Sequence, residues 1–123
     1  MRRMKKEILI GGNSDLIVER IRHELGSVVE GLSVDVLRDF SAINSLAEGQ
    51  LVIIDVSVYT VGMIERMELF KSKFPEIELI AVTYCNDVWV DRMLLRKGID
   101  QVMSIEELPE IVSRQLSQFK KAC

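Results

Sequence analysis

A run of four apolar residues that ends on a carboxylate, Leu51–Asp55, constrains the fold of this chain more than any other feature. The run is short, and the turn-forming segment Glu48–Gln50 precedes it. This pattern is typical of a strand buried on both faces, as in a parallel sheet covered by helices. Asp55 would then lie at the carboxyl end of a central strand, where ligands bind in open α/β sheets. The alternative is that Asp55 only caps the following turn.

Strand and helix patterns alternate along the whole chain. The predicted strands cover residues 6–11, 32–37, 51–55, 77–82 and 101–104. The predicted helices cover residues 16–25, 41–47, 62–74, 87–97 and 106–119. Short connections and right-handed crossovers predict one domain, residues 1–123, with a three-layer, doubly wound (βα)5 α/β fold of the flavodoxin-like type. Its five-stranded parallel sheet has the predicted order 2-1-3-4-5, which brings the loop Gly11–Asp15 to the end of the third strand.

Composition and charge exclude several classes of protein. The formal net charge is −3, without a basic stripe, so we predict no nucleic-acid partner. No apolar run is long enough to span a bilayer, and the basic segment Met1–Lys6 precedes only the short run Ile8–Ile10. We therefore predict a cytoplasmic protein with no membrane partner. The two cysteines, Cys85 and Cys123, form neither a disulfide framework nor a zinc pattern.

Several segments of the chain resemble the receiver domains of bacterial two-component response regulators. They are Asp55 after Leu51–Ile54, Thr83 after Leu79–Val82, the stretch Leu94–Asp100, and the helix start Glu106–Leu108. The resemblance covers nearly the whole chain. It implies that Asp55 stands at the phosphoacceptor position, Thr83 at the switch position, and Ser57 at the position whose backbone carbonyl binds the metal ion.

The chain also departs from the receiver pattern in its functional positions. Where the family has two adjacent acids after the first strand, this chain has Gly12 and Asn13, and we attribute the glycine to a turn. Where the family has a lysine and a proline after the fifth strand, the segment Ser104–Glu107 follows. Tyr84 replaces the small residue after the switch threonine, and it either fills the phosphate pocket or points to the outer surface. Val102 stands at the aromatic switch position.

These departures predict a degenerate phosphorylation site. Mg²⁺ requires several oxygen ligands, and Asp55, the Asn13 amide and the Ser57 carbonyl would hold it weakly. Asp15 is better placed to cap the following helix. Phosphoryl transfer depends on positioning and charge neutralisation, and the missing lysine alone removes a contact worth roughly 1.5–3 kcal/mol. We therefore predict no enzymatic activity, no cofactor and a domain that folds without metal, with Mg²⁺ at Asp55 only if phosphorylation occurs.

The segment Gly11–Asp15 also resembles the glycine-rich turn of dinucleotide-binding proteins. The third glycine of that motif is missing, because Leu16 and Ile17 stand where the helix must approach closely. An acidic residue, Asp35, does follow about twenty residues later. A small nucleotide-binding protein is therefore one alternative function.

Trp89 lies in the first turn of the fourth predicted helix and has two interpretations. It is a partly buried packing residue, or it is an exposed anchor on the surface formed by the fourth helix, the fifth strand and the fifth helix. The resemblance implies that this surface binds partners or a second copy, and tryptophan is enriched at binding hot spots.

The leading hypothesis is a receiver-like domain that acts as a protein-interaction or self-association module independently of phosphorylation. The alternative is a working response regulator in which Asp55 takes phosphate from a histidine kinase.

Overall fold

The computed structural model describes residues 7–12, 15–26, 33–37, 51–56, 61–83 and 88–122. Within these residues the strands are β1 Glu7–Gly12, β2 Ser33–Leu37, β3 Leu51–Asp55, β4 Glu78–Thr83 and β5 Gln101–Ser104. The helices are α1 Asp15–Glu24, α2 Val61–Lys73, α3 Val88–Arg96 and α4 Leu108–Ala122. The predicted helix at 41–47 lies outside the described residues, so the fourth and fifth predicted helices are α3 and α4.

The strands form one sheet in the order β2-β1-β3-β4-β5, and all four neighbouring pairs are parallel. The predicted α/β class with a parallel sheet is confirmed, and the strand order equals the predicted one. No helix in the described ranges is both long enough and apolar enough to cross a membrane.

Successive strand residues point to opposite faces of the sheet, and both faces are covered by helices. On one face, β-strand residues such as Ile8, Ile53 and Ile80 pack in one cluster with α1 and α4. On the other face, residues such as Val52 and Leu79 pack in a second cluster with α2 and α3. This arrangement explains why β3 and β4 are apolar at nearly every position.

The buried face was predicted correctly for α2 and in part incorrectly for α1. Helical spacing predicts an inward stripe of four α2 residues, Met63, Met67, Phe70 and Phe74. The first three are buried as predicted, and Phe74 is partly buried. The same spacing predicts that Leu16 shares an inward stripe of α1 with Ile17, Ile21 and Leu25, which is wrong for Leu16 because it is 83% exposed. Leu16 precedes the buried Val18 by two residues, which is about 200° around the helix axis.

The start of α4 differs from the predicted start, whereas the end of α3 matches the prediction. The last helix begins at Leu108 rather than residue 106, and it includes the two lysines predicted to follow it. The predicted stop of α3 at Gly98 is confirmed. Gly98 has a φ of 96°, its N–H donates to the Leu95 carbonyl, and the Ile99 N–H donates to the Leu94 carbonyl. This is the Schellman arrangement that a glycine in the left-handed region closes.

Lys71 connects α2 to the amino ends of β4 and β5. In the sequence, Lys71 and the nearby charges Glu65, Arg66 and Glu68 predict a solvated helix face. For Lys71 this prediction is wrong, because its side chain is only 16% exposed. Its Nζ donates to Asp100 Oδ2 at 2.7 Å and to the Ile77 carbonyl at 2.6 Å. The Leu79 N–H donates to the same carboxylate oxygen at 2.7 Å. This network fixes the helix at the edge of the sheet opposite to Asp55.

Candidate functional site

The carboxyl ends of four strands bring four polar or glycine positions to one edge of the sheet. In the register, Gly12 pairs with Asp55, Asp55 pairs with Val82, and Thr83 pairs with Ser104. Asp55 and Thr83 are the buried polar residues of the described core, 2% and 7% exposed respectively. The structure therefore brings together the predicted phosphoacceptor position, the predicted switch position and one of the two predicted degenerate acid positions.

Other residues singled out in the sequence lie outside the described ranges. They are Asn13, Ser57 and Tyr84, together with both cysteines, Cys85 and Cys123. The expected weak ligation by Asn13 and Ser57, and the expected blocking of the pocket by Tyr84, remain predictions.

Gly12 and Asp55 lie too close together for position 12 to carry a side chain. A Cβ atom added to Gly12 would lie 2.6 Å from Asp55 Cβ, 3.3 Å from Cγ and 3.1 Å from Oδ2. Real Cβ atoms essentially never come within 3.0 Å of another heavy atom. The Asp55 side chain therefore occupies the space that any side chain at position 12 would need.

The reason for Gly12 differs from the one that the sequence indicated. Gly12 is the last residue of β1, and Gly98 is the glycine with positive φ in the described part of the chain. Close approach, and not a turn, requires glycine at position 12. The signal that could have revealed this is the pairing of Gly12 with Asp55, which is a property of the sheet register and not of either local segment.

The turn after β5 is held by hydrogen bonds between its own residues. The Ser104 hydroxyl donates to Glu107 Oε1 at 3.0 Å, and the Ser104 N–H donates to the same oxygen at 3.4 Å. The Glu107 carboxylate thus reaches back across the turn to both donors of Ser104, immediately before α4 begins at Leu108. The segment that replaces the family's lysine and proline thus carries two exposed acids, Glu106 and Glu107, ahead of α4.

The chemistry available at this edge follows from these residues. Asp55 supplies one carboxylate, and Thr83 supplies one hydroxyl. The charged residue that follows β1 in the described part is also acidic, Asp15. No group of three or more histidine, cysteine, aspartate or glutamate side chains among the described residues is arranged to hold a metal ion.

The Trp89 side chain is exposed to solvent and does not belong to the core. It is 81% exposed in the first turn of α3, so the interpretation as a partly buried packing residue is wrong. The exposed interpretation agrees with the structure, and its role in binding remains a prediction.

Solved structures similar to this chain exist, whereas comparisons of its sequence find no match. No protein-family model matches the chain, and no curated protein matches it. A candidate pilus assembly protein from Burkholderia thailandensis is 14% identical, with a TM-score of 0.71 over 93% of this chain and 99% of that one. The isolated REC domain of RcsB from Salmonella enterica serovar Typhimurium is 18% identical, with a TM-score of 0.65 over 96% and 90% of the two chains.

An atypical orphan response regulator, whose structure revealed a phosphorylation-independent regulatory mechanism, is also similar. It is 15% identical, with a TM-score of 0.64 over 90% of this chain and 95% of that one. Each similarity spans most of both chains, while the identities are too low to transfer a function. The chain therefore has the fold of the receiver domains of response regulators.

Proposed function

We propose that this chain is a cytoplasmic receiver-like domain of two-component signalling that acts as a protein-interaction module without a metal-dependent phosphoryl switch. The observation that carries the proposal is the close approach of Gly12 and Asp55. An acid at position 12, which the receiver pattern would place beside the phosphoacceptor, cannot be added while Asp55 keeps its position.

The Asp55 side chain therefore occupies the space that an acid at position 12 would need. Mg²⁺ at a receiver site needs several oxygen ligands around one small ion, in near-octahedral geometry. Asp55 Cβ, Cγ and Oδ2 fill the volume in which a side chain at position 12 would lie. The turn after β5 contributes glutamates where a lysine would neutralise the transferred phosphoryl group. Both features support slow or absent phosphoryl transfer.

A similar protein provides a precedent for the proposal. The atypical orphan response regulator that shares this fold is regulated independently of phosphorylation. We extend that property to this chain as part of the proposal, because the Gly12–Asp55 contact gives it a physical basis here.

The test is treatment with Mg²⁺ and a small-molecule phosphodonor, followed by mass spectrometry of the intact protein. We expect no change in mass, with Asp55→Asn as the control variant and a receiver domain that retains its acidic pair as the control for the donor. An adduct of about 80 Da, one phosphoryl group, that disappears in Asp55→Asn would contradict the proposal. It would favour the alternative in which a histidine kinase phosphorylates Asp55.

The same preparation tests the nucleotide-binding alternative. Leu16 follows the first residue of α1, so the helix start has a bulky residue where the dinucleotide motif requires close approach. We expect no shift in melting temperature with nucleotides, whereas stabilisation by several degrees would support that alternative.

A further inference from the structure

One face of α3 forms an open groove with an unusual combination of side chains. Five residues at helical positions i, i+3, i+4, i+7 and i+8 line a cavity of about 310 Å³: Trp89, Arg92, Met93, Arg96 and Lys97. We call this feature the α3 groove. Its volume lies at the lower end of the range of ligand pockets, which suits one inserted side chain better than a large ligand.

The apolar part of the groove is accessible to a partner. Trp89 lies at one end of it and Met93 is half-buried one turn later. Beside the groove, Val88 and Leu95 are also exposed on the same helix. Tryptophan and methionine are both enriched in the centres of protein interfaces, and a tryptophan in a pocket is typical of a binding hot spot.

The charged part of the groove is positive, although the chain as a whole is acidic. Arg92 and Arg96 stand four residues apart, where like charges repel on a helix surface, and neither belongs to an ion pair within the described residues. Lys97 meets Glu68 of α2 only at 3.7 Å, between half-exposed side chains. Asp91 is the acid of α3, and its Oδ1 atom is buried without a hydrogen bond.

We infer that the α3 groove binds an acidic segment of a partner protein that places an apolar side chain beside Trp89. The inference rests on the proposed function, since it names the partner class of that interaction module. Carboxylates of the partner would relieve the repulsion between Arg92 and Arg96, and the apolar side chain would cover the exposed ring.

Two other occupants fit the observations less well. A second copy docked through the same face by twofold symmetry would place each cationic stripe against its equivalent, which is unfavourable. A nucleic acid would meet an acidic protein whose groove cations are confined to two arginines of α3 and the lysine that follows it. Nucleic-acid binders instead carry a basic face over the whole domain.

The experiment uses Trp89 as its own reporter, because it is the single tryptophan of the chain. The probe is a synthetic amphipathic peptide with a leucine stripe flanked by glutamates, and the matched probe has lysines in place of the glutamates. We expect the glutamate peptide to shift the tryptophan emission to shorter wavelength in a saturable manner, and the lysine peptide to leave it unchanged.

Charge reversal identifies the groove as the site. The variant Arg92→Glu/Arg96→Glu should lose roughly tenfold or more in affinity for the glutamate peptide and should gain binding to the lysine peptide. The control Arg22→Glu/Arg66→Glu makes the same change in net charge on exposed positions of α1 and α2 and should bind like the parent. Binding should also weaken as salt rises from about 0.05 M to 0.5 M.

Three outcomes would overturn the inference: no emission change with the glutamate peptide, equal binding by both charge-reversal variants, or saturable binding of a short single-stranded oligonucleotide in place of the peptide. Each of these leaves the phosphodonor result untouched. Conversely, an Asp55-dependent phosphoryl adduct would contradict the proposed function while the peptide measurements still report on the groove, so the two failures are distinguishable.

Discussion

The two ends of the sheet accommodate an aspartate in different ways. At the amino ends of β4 and β5, the Asp100 carboxylate receives a lysine ammonium group and a backbone N–H at 2.7 Å each. At the carboxyl ends, the Asp55 side chain is buried where β1 has no Cβ atom. Asp100 stays partly exposed beside a lysine, whereas Asp55 is almost fully buried in a space that exists because position 12 has no Cβ atom. An aspartate beside a strand therefore does not define a site until its neighbours across the sheet are known.

The largest effect should come from adding one methyl group at the Asp55 end. Gly12→Ala places a Cβ atom 2.6 Å from Asp55 Cβ, and neither atom can rotate away, so we expect a loss of about 3 kcal/mol in the free energy of unfolding. Urea denaturation measures the loss. The control Gly62→Ala, at an exposed position of α2, should instead stabilise the protein by about 0.5–1 kcal/mol.

A double-mutant cycle assigns that loss to the Gly12–Asp55 contact. In an Asp55→Gly background the opposing Cβ, Cγ and Oδ2 atoms are absent, so Gly12→Ala should cost much less than in the parent. Equal costs in both backgrounds would show that the strain has another source.

The next largest effect should come from the opposite end of the sheet. Lys71→Met keeps the aliphatic stem but removes the ammonium group that serves Asp100 and the Ile77 carbonyl. We expect a loss of about 2 kcal/mol, the usual range for a partly buried charge-assisted hydrogen bond. Lys73→Met, on the exposed side of the same helix, removes a cation–π contact with Phe74 at 5.3 Å and should cost less than about 1 kcal/mol. Similar losses in both variants would refute the special role of Lys71.

A smaller effect should come from the turn after β5. Ser104→Ala removes the hydroxyl that donates to Glu107 at 3.0 Å but leaves the weaker backbone contact, so we expect a loss of about 1 kcal/mol. Ser113→Ala, on the exposed surface of α4, serves as the reference for loss of a serine hydroxyl without this partner. A phosphodonor adduct should stay absent in both variants.

The smallest expected effect is that of magnesium. If the Asp55 end lacks a functional metal site, millimolar Mg²⁺ should move the melting temperature by less than about 1 °C in the parent and in Asp55→Asn alike. Differential scanning fluorimetry is sufficient for this comparison. A rise of several degrees that is lost in Asp55→Asn would show that Asp55 binds the cation, just as Asp100 binds the Lys71 ammonium group at the other end of the sheet.

The sequence predicted the features that depend on local patterns. Unbroken apolar runs such as Leu51–Ile54 identified the central strands, and Gly98 identified the end of a helix. It did not predict features that depend on which residues meet in three dimensions. Nothing in the sequence distinguishes Lys71 from the exposed lysines. The difference is its ion pair with Asp100, a residue 29 positions later in the chain. In the same way, the reason for a glycine at position 12 is its pairing with Asp55 on the neighbouring strand β3.

The attachment of α3 has a consequence for its dynamics. Leu94 is the fully buried side chain of this helix, whereas α2, on the same face of the sheet, buries Met63, Ile64, Met67 and Phe70. Local opening requires less free energy where fewer apolar side chains must be exposed. The amides of α3 should therefore exchange with solvent deuterium sooner than those of α2. Besides Leu94, only the partly buried Val90 and Met93 of α3 pack against this core cluster, so a partner that covers them should slow this exchange.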